Sequence, residues 1–297
     1  MPGQTKIILQ YEEHSFPISI DRTRLSFSQL QPRHRLPCHV LLRCDLLQQG
    51  HRGQLDTFGV VGYNSRDNEI VVAFRGTNGA DFMNWMTNIV YYRVQYADVA
   101  NTQVHSGFYT AYSSVSYTML KALRALIAKY PNASILLTGH SLGGALATFA
   151  ALDLKRELHF SNTINFYTFG SPRTGNQAFT NYVMQLYPGQ YQRVTHYTDV
   201  VVQVPPRQMG FNHAGNEVWY YSNSFDGKTK VCENNPGSDE SKNCADSYYL
   251  TTGIDAHLHY LGKAISGMCT LKGVRDQEQL ARDTFDMFHP NNGTAQE

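Results

Sequence analysis

Two periods of hydrophobicity run along this chain, and the switches between them mark its elements. Residues 58–63 and 69–75 are short apolar runs joined by the polar stretch Asn64-Ser65-Arg66-Asp67-Asn68, which predicts two neighbouring strands. Residues 113–129 place Val115, Met119, Ala122, Leu123, Leu126 and Ile127 at helical spacing. The helix they predict stops at Tyr130-Pro131-Asn132, because proline drives the residue before it out of the helical region. A β-like run follows at 135–137, then a helix to about residue 158 and a strand at 164–169 closed by Gly170-Ser171-Pro172. A helix over 177–186 and a strand over 191–197 bring the chain to Asp199. Strands alternating with helices predict a largely parallel sheet with helices on both faces. With no internal repeat and no linker, residues 1–270 read as one domain, although 1–55 show no sustained period. Residues 271–297 form a polar extension in which Val274, Leu280, Phe285 and Phe288 predict one amphipathic helix.

Composition narrows the class without naming it. The 297 residues are 42% hydrophobic and 16% charged, which is ordinary for a folded protein. A formal net charge of +1 gives no electrostatic reason to expect nucleic acid or an anionic membrane as partner. No apolar run approaches the roughly 18 residues that a membrane span needs, and residues 1–16 lack the apolar core of a signal peptide. The cysteines point the other way. Cys38/Cys44 and Cys232/Cys244 are short-spaced pairs and Cys269 stands alone, a usage that suits an oxidising compartment and leans towards secretion.

The chemistry concentrates where the run Ile135-Leu136-Leu137-Thr138 meets Gly139-His140-Ser141-Leu142-Gly143-Gly144. A serine in G-x-S-x-G, between strand and helix, sits on a sharp turn with its hydroxyl above the sheet edge. Such a serine becomes a nucleophile only when a histidine takes its proton and a carboxylate orients that histidine. With Ser141 as nucleophile, the expected chain order is serine, acid, histidine. Asp199, just past a strand, fits the acid. Asp153 lies on the helix after the serine and points away, while Asp226, Asp239 and Asp246 read as solvated charge in a polar, cysteine-bracketed loop. Four histidines follow Asp199. His289 sits in the polar tail, His213 leaves little chain to cross back over the sheet, and spacing does not separate His257 from His259. His140 reads as structural. The developing oxyanion needs donors; the Leu142 N–H is one, and Thr77, after the buried run Val71-Val72-Ala73-Phe74-Arg75-Gly76, offers another unless it is simply a turn or helix-capping residue. Phe82, Trp85, Met86, Ile89 and Val90 then share one helical stripe, opposite Asp81, Asn84, Thr87 and Asn88. Spacing alone favours an ordinary packed helix over a movable cover.

These segments, in this order, resemble the filamentous-fungal class 3 triacylglycerol lipases, a family that also contains feruloyl esterases. The resemblance covers about residues 56–270 and includes Ala73-Phe74-Arg75-Gly76-Thr77, Asn84-Trp85, Val104-His105-Ser106-Gly107-Phe108, the Ser141 pentapeptide, Gly170-Ser171-Pro172-Arg173-Thr174-Gly175-Asn176, Asp199, and Ala256-His257-Leu258-His259-Tyr260. It implies an α/β-hydrolase fold with a short helical lid, and a carboxylic ester hydrolase, first a triacylglycerol lipase, with feruloyl esterase or phospholipase A1 as alternatives. It assigns Ser141, Asp199 and His257 to the triad, Thr77 and Leu142 to the oxyanion hole, and Phe82, Met83, Trp85, Met86 and Ile89 to the lid. It places Pro172 and Leu258 along the acyl groove. It implies no cofactor and no metal, and an acylglycerol or other ester met at a lipid–water interface as substrate. It pairs Cys232 with Cys244 and gives Cys269 a mate at Cys38 or Cys44. The family's long opening helix is not recognisable in residues 1–55, and the tail beyond Thr270 exceeds the family's usual end.

Overall fold

The two strands expected around the first turn are β1 (Gly59–Asn64) and β2 (Glu69–Phe74), paired antiparallel with Gly59 opposite Phe74. The structure, a computed structural model, describes residues 57–265 except 78–81, 83, 87–88, 224–227, 249–252 and 262. Cys38, Cys44, Cys269, Met83, Asp226, His289 and the helix expected within 271–297 therefore lie outside the described residues. A small ribbon of β3 (Arg93–Gln95) and β4 (Gln103–His105) leads into α1 (Ser106–Lys129). Then come β5 (Ser134–His140), α2 (Leu142–Arg156), β6 (Ile164–Phe169), α3 (Gln177–Leu186) and β7 (Tyr191–His196). After β8 (Asn216–Tyr220) and β9 (Thr229–Cys232), α4 (Ile254–Leu258) runs into a minimal pair, β10 (His259–Tyr260) and β11 (Lys263–Ala264).

Seven strands form the main sheet in the order β1-β2-β5-β6-β7-β8-β9. From β2 to β8 the neighbours are parallel, and the two edge strands are antiparallel. This is the mostly parallel sheet that alternating strand and helix patterns predict. Ile135 and Leu137 of β5 and Phe166 of β6 share one continuous core with Ala147, Phe149 and Ala150 of α2. Every residue from Leu142 to Leu152 is buried, as in a helix packed on all sides. The acid Asp153 is half-buried there and accepts the Tyr112 hydroxyl of α1.

Helix α1 begins at Ser106 rather than at residue 113. Its N-cap is His105, whose Nδ1 accepts the Phe108 N–H at 3.2 Å. An imidazole cap is outside the usual Ser, Thr, Asp and Asn signal, so the apolar period alone misses that opening. Cys232 and Cys244 are bridged. They close a loop that packs with Val202, Trp219 and Ala245. The reading of Asp246 as solvated surface charge is corrected by the structure. Its carboxylate is 10% exposed and meets Arg207 at 2.9 Å, Lys242 at 2.6 Å and Arg173 at 3.6 Å. Asp239 does remain at the surface, paired to Arg207.

Parallel strands share a direction, so the loops leaving β2, β5, β6 and β7 emerge at one edge of the sheet. Open α/β sheets bind ligands at that carboxyl edge. Thr77, Ser141, Pro172 and Asp199 lie on those four loops.

Candidate active site

Ser141 occupies a backbone conformation that non-glycine residues seldom adopt, φ 57° and ψ −131°. The surroundings over-determine it. Its N–H donates to Phe169 O at 2.9 Å, and its carbonyl accepts from Gly144 N at 2.9 Å. Helix α2 lies so close to the end of β2 that a Cβ on Gly143 would stand 2.2 Å from the Phe74 carbonyl oxygen. The serine heads the helix without capping it, which leaves its Oγ buried and without a hydrogen-bond partner. The sharp turn expected from Gly139-His140-Ser141-Leu142-Gly143 is therefore present, with the hydroxyl uncommitted.

Asp199 follows β7 and is fully buried. Three donors converge on its carboxylate. The His257 Nδ1 lies 3.0 Å from both oxygens, the Val201 N–H donates to Oδ1 at 2.8 Å, and the Tyr260 hydroxyl donates to Oδ2 at 2.5 Å. Because the carboxylate accepts at Nδ1, the proton sits there and Nε2 is left with a free lone pair. His257 Nε2 is buried and has no hydrogen-bond partner, to Ser141 or to any other described group. A parallel bridge between Asp199 and Gly253 brings α4 beside the acid, and Gly253 N donates to Thr198 O at 3.2 Å. Gly170 completes the packing at φ +56°; a Cβ there would lie 2.8 Å from Asp199 Oδ2 and 2.9 Å from His257 Nδ1. Burial and the Asp199 charge hold the Tyr260 phenol well above its ordinary pKa, so it remains a donor at Oδ2.

The loop after Asp199 is held from outside. Arg173, almost fully buried, donates to both Glu240 oxygens at 2.8 Å and to the carbonyls of Gln203 and Pro205 at 2.6 and 3.2 Å. Burial alone would raise the Glu240 carboxyl, but His213 and the positive charge and hydrogen bonds of Arg173 beside it bring it below the usual carboxylate range.

Phe82 covers the histidine. Its ring stacks on the His257 imidazole with centroids 5.0 Å apart and planes 12° apart, and Trp85 packs behind it against Phe108. Residues 82 and 84–86 are helical; Trp85, Met86 and Ile89 are half-buried, whereas Val90, placed on the same stripe by spacing, is 72% exposed. Thr77 Oγ1 is buried without a partner, and a Cβ on the preceding Gly76 would lie 2.9 Å from Ser141 Cβ. The Leu142 N–H belongs to the first turn of α2, where helical donors lack intrahelical acceptors. Pro172 is buried and Leu258 half-buried beside His257. Of the other histidines, His213 is buried with its Nε2 donating to Val202 O, and His259 bonds Asp255 O within its own segment. Neither joins the cluster. No group of three His, Cys, Asp or Glu side chains able to hold a metal occurs among the described residues.

The family model for class 3 lipases matches residues 71–209. A solved lipase from Rhizopus microsporus var. chinensis is 33% identical, superposes with a TM-score of 0.66, and shares 73% of each chain. The chain belongs to the class 3 lipase family. Its α/β-hydrolase fold is that of the solved fungal lipases. Another solved family member, a triacylglycerol lipase with a serine protease triad as its catalytic centre, is 35% identical with a TM-score of 0.66, over 72% of this chain and 79% of that one. Among curated relatives, the Rhizomucor miehei lipase is 35% identical over 72% of this chain. The secreted mono- and diacylglycerol lipase 1 of Fusarium solani is 37% identical over 59% of this chain. The chain spans only 58% and 53% of those two proteins' lengths.

Sequence reasoning misses one feature of the site: Tyr260 stands out only as the aromatic residue closing the histidine motif, yet its hydroxyl is one of three donors to Asp199. His140, expected to be structural, packs with its ring 4.5 Å from that of His257.

Proposed function

We propose that this protein hydrolyses carboxylic esters of acylglycerols through an acyl-enzyme on Ser141. The observation that carries this reading is the convergence at one sheet edge of a strained, uncommitted serine and an imidazole whose Nδ1 is committed to a buried carboxylate. His257 Nε2 takes the Ser141 proton as Oγ attacks the ester carbonyl, and Asp199 stabilises the imidazolium that forms. The N–H groups of Thr77 and Leu142, with the Thr77 hydroxyl, receive the oxyanion. His257 then protonates the departing alcohol, and a water molecule repeats the sequence on the acyl-enzyme. The hydrogen bond between Ser141 and His257 forms as substrate enters, since catalytic contacts are often open in the free enzyme.

The segment after Thr77 acts as the lid. Phe82 shields the imidazole, and the half-buried apolar residues Trp85, Met86 and Ile89 turn towards lipid when the segment lifts. An apolar cover over an ester-cleaving site favours acylglycerols over feruloylated sugars, with Pro172 and Leu258 along the acyl groove. The Cys232–Cys244 bridge supports secretion, as does the description of two relatives as secreted. The test is Ser141→Ala, assayed on tributyrin, triolein and methyl ferulate. Loss of hydrolysis and of fluorophosphonate labelling in a folded protein supports the mechanism, and retained turnover refutes it. Release of ferulate without hydrolysis of triolein by the unsubstituted enzyme would refute the lipid assignment.

A further inference from the structure

Two histidines outside the triad hold consecutive carbonyls of the segment that carries His257. His140 Nε2 lies 2.8 Å from His257 O, and His196 Nδ1 lies 2.9 Å from Ala256 O. A carbonyl only accepts, so each imidazole must carry its proton on the nitrogen that faces the chain. The two rings come from the carboxyl ends of β5 and β7, on either side of β6. His140 is the residue immediately before Ser141.

Among the described residues, few other backbone hydrogen bonds hold the segment they grip; at its start Gly253 N donates to Thr198 O at 3.2 Å. Helix α4 is five residues long, too short to be stable by itself. The last carbonyls of a helix have no intrahelical donor, and those of Ala256 and His257 find theirs in the two imidazoles. The other described backbone tie of His257 is its N–H to Gly253 O at 3.2 Å.

We infer that His140 and His196 are positioning residues, which set the height and rotation of the His257 backbone above the sheet edge so that Nε2 meets Ser141 Oγ. Asp199 fixes the plane of the imidazole, but not where its Cα stands relative to the serine. The His140 bond supplies that distance directly, because it links the residue next to the nucleophile to the backbone of the base. Burial lowers the His140 pKa to about 3, and the nearby His257 ring adds to the effect, so the ring is neutral at pH 7 and keeps the bond.

The inference rests on the triad proposed above, and its test separates the two. The side-chain amide of glutamine reaches about as far as Nε2 of histidine, and that of asparagine about as far as Nδ1. His140→Gln and His196→Asn therefore keep the donor, while His140→Leu and His196→Leu remove it at similar volume. With tributyrin as substrate, each leucine variant should lose on the order of tenfold to a hundredfold in kcat with little change in KM, as expected for a sub-ångström misplacement of a base. Fluorophosphonate labelling of Ser141 should slow in parallel, and the amide variants should recover most of the loss. Full kcat in a folded leucine variant overturns the inference. So does a loss that the matching amide fails to recover, since packing and not the hydrogen bond would then be responsible. If one leucine variant does not fold, the pair at the other strand decides. Failure of the triad has a different signature: Ser141→Ala or His257→Ala would retain turnover, whereas failure of the clamp alone leaves those variants inactive.

Discussion

Phe82 offers a direct measure of what covering the site costs in free energy. Phe82 is 5% exposed and its ring is stacked on His257, which is fully buried, so no ester reaches the imidazole while the ring stays there. Burying a phenylalanine side chain stabilises by about 1.5–3 kcal/mol, and an offset aromatic pair adds about 0.5–1.5 kcal/mol. Taking the lower ends, Phe82→Ala weakens the covered state relative to the uncovered one by about 2 kcal/mol, or about 30-fold in equilibrium. The assay compares p-nitrophenyl butyrate below its solubility limit with a tributyrin emulsion. Dissolved ester meets mostly covered enzyme, so the variant should hydrolyse it up to about 30-fold faster. On the proposed lid action the emulsion surface displaces the cover, so the rate there should hardly move. The ratio of emulsion to solution activity therefore falls. Phe82→Leu, which keeps apolar bulk but loses the ring stack, should lie between. An unchanged or reduced rate on dissolved ester, in a folded Phe82→Ala protein, would show that this side chain does not control access to the base.

Three further expectations follow from the same geometry. Tyr260→Phe removes one of three donors to a buried carboxylate, a charge-assisted bond worth about 1.5–3 kcal/mol; kcat/KM should fall by about tenfold or more, and a wild-type value would remove Tyr260 from the site. Gly170→Ala adds a methyl group 2.8 Å from Asp199 Oδ2 at a φ of +56°, so turnover should drop while the circular dichroism stays native; undiminished turnover would mean the acid and base tolerate displacement. Acid should destabilise the fold before it reaches the carboxylates. Burial lowers His105 to about 4 and His140 to about 3, whereas the same imidazoles in the unfolded chain titrate near 6.5. Between those values the unfolded chain binds more protons, so stability is complete above pH 6.5 and declines as the pH falls towards 4. Glu240, whose folded carboxyl lies below the usual range, adds to the loss at the lower end. Urea unfolding at pH 7 and pH 5 should show the lower midpoint at pH 5, and equal midpoints would contradict the assignment of buried neutral histidines.

Much of the architecture was legible from the chain alone, and the boundaries show why. The strand at Ile164–Phe169 and the helix at Gln177–Leu186 appear where their patterns place them, because each is bounded by residues with strong local preferences: Gly170 and Pro172 after the strand, Asn176 as a helix cap. The apolar period predicts too short an α1, because its first turn depends on a histidine cap. Spacing could not choose between His257 and His259, and a resemblance was needed to decide. In the structure the difference is plain, since residue 257 faces Asp199 and residue 259 turns back to Asp255 O. Asp246 illustrates the opposite failure. A charge in a polar loop looks solvated until the fold delivers Arg173 and Arg207 from distant segments to meet it.

By itself the sequence determined the parallel sheet, the sharp turn at Ser141 and the place of Asp199 just past a strand, because periodicity, glycine and proline act within a few residues of where they stand. Only the tertiary structure decided that Phe82 lies on the imidazole, that Tyr260 completes the shell of Asp199, and that His140 and His196 grip α4. Those contacts join residues up to 175 positions apart, the separation of Phe82 from His257. Their formation depends on the register of whole strands and the path of whole loops, and no local preference encodes either.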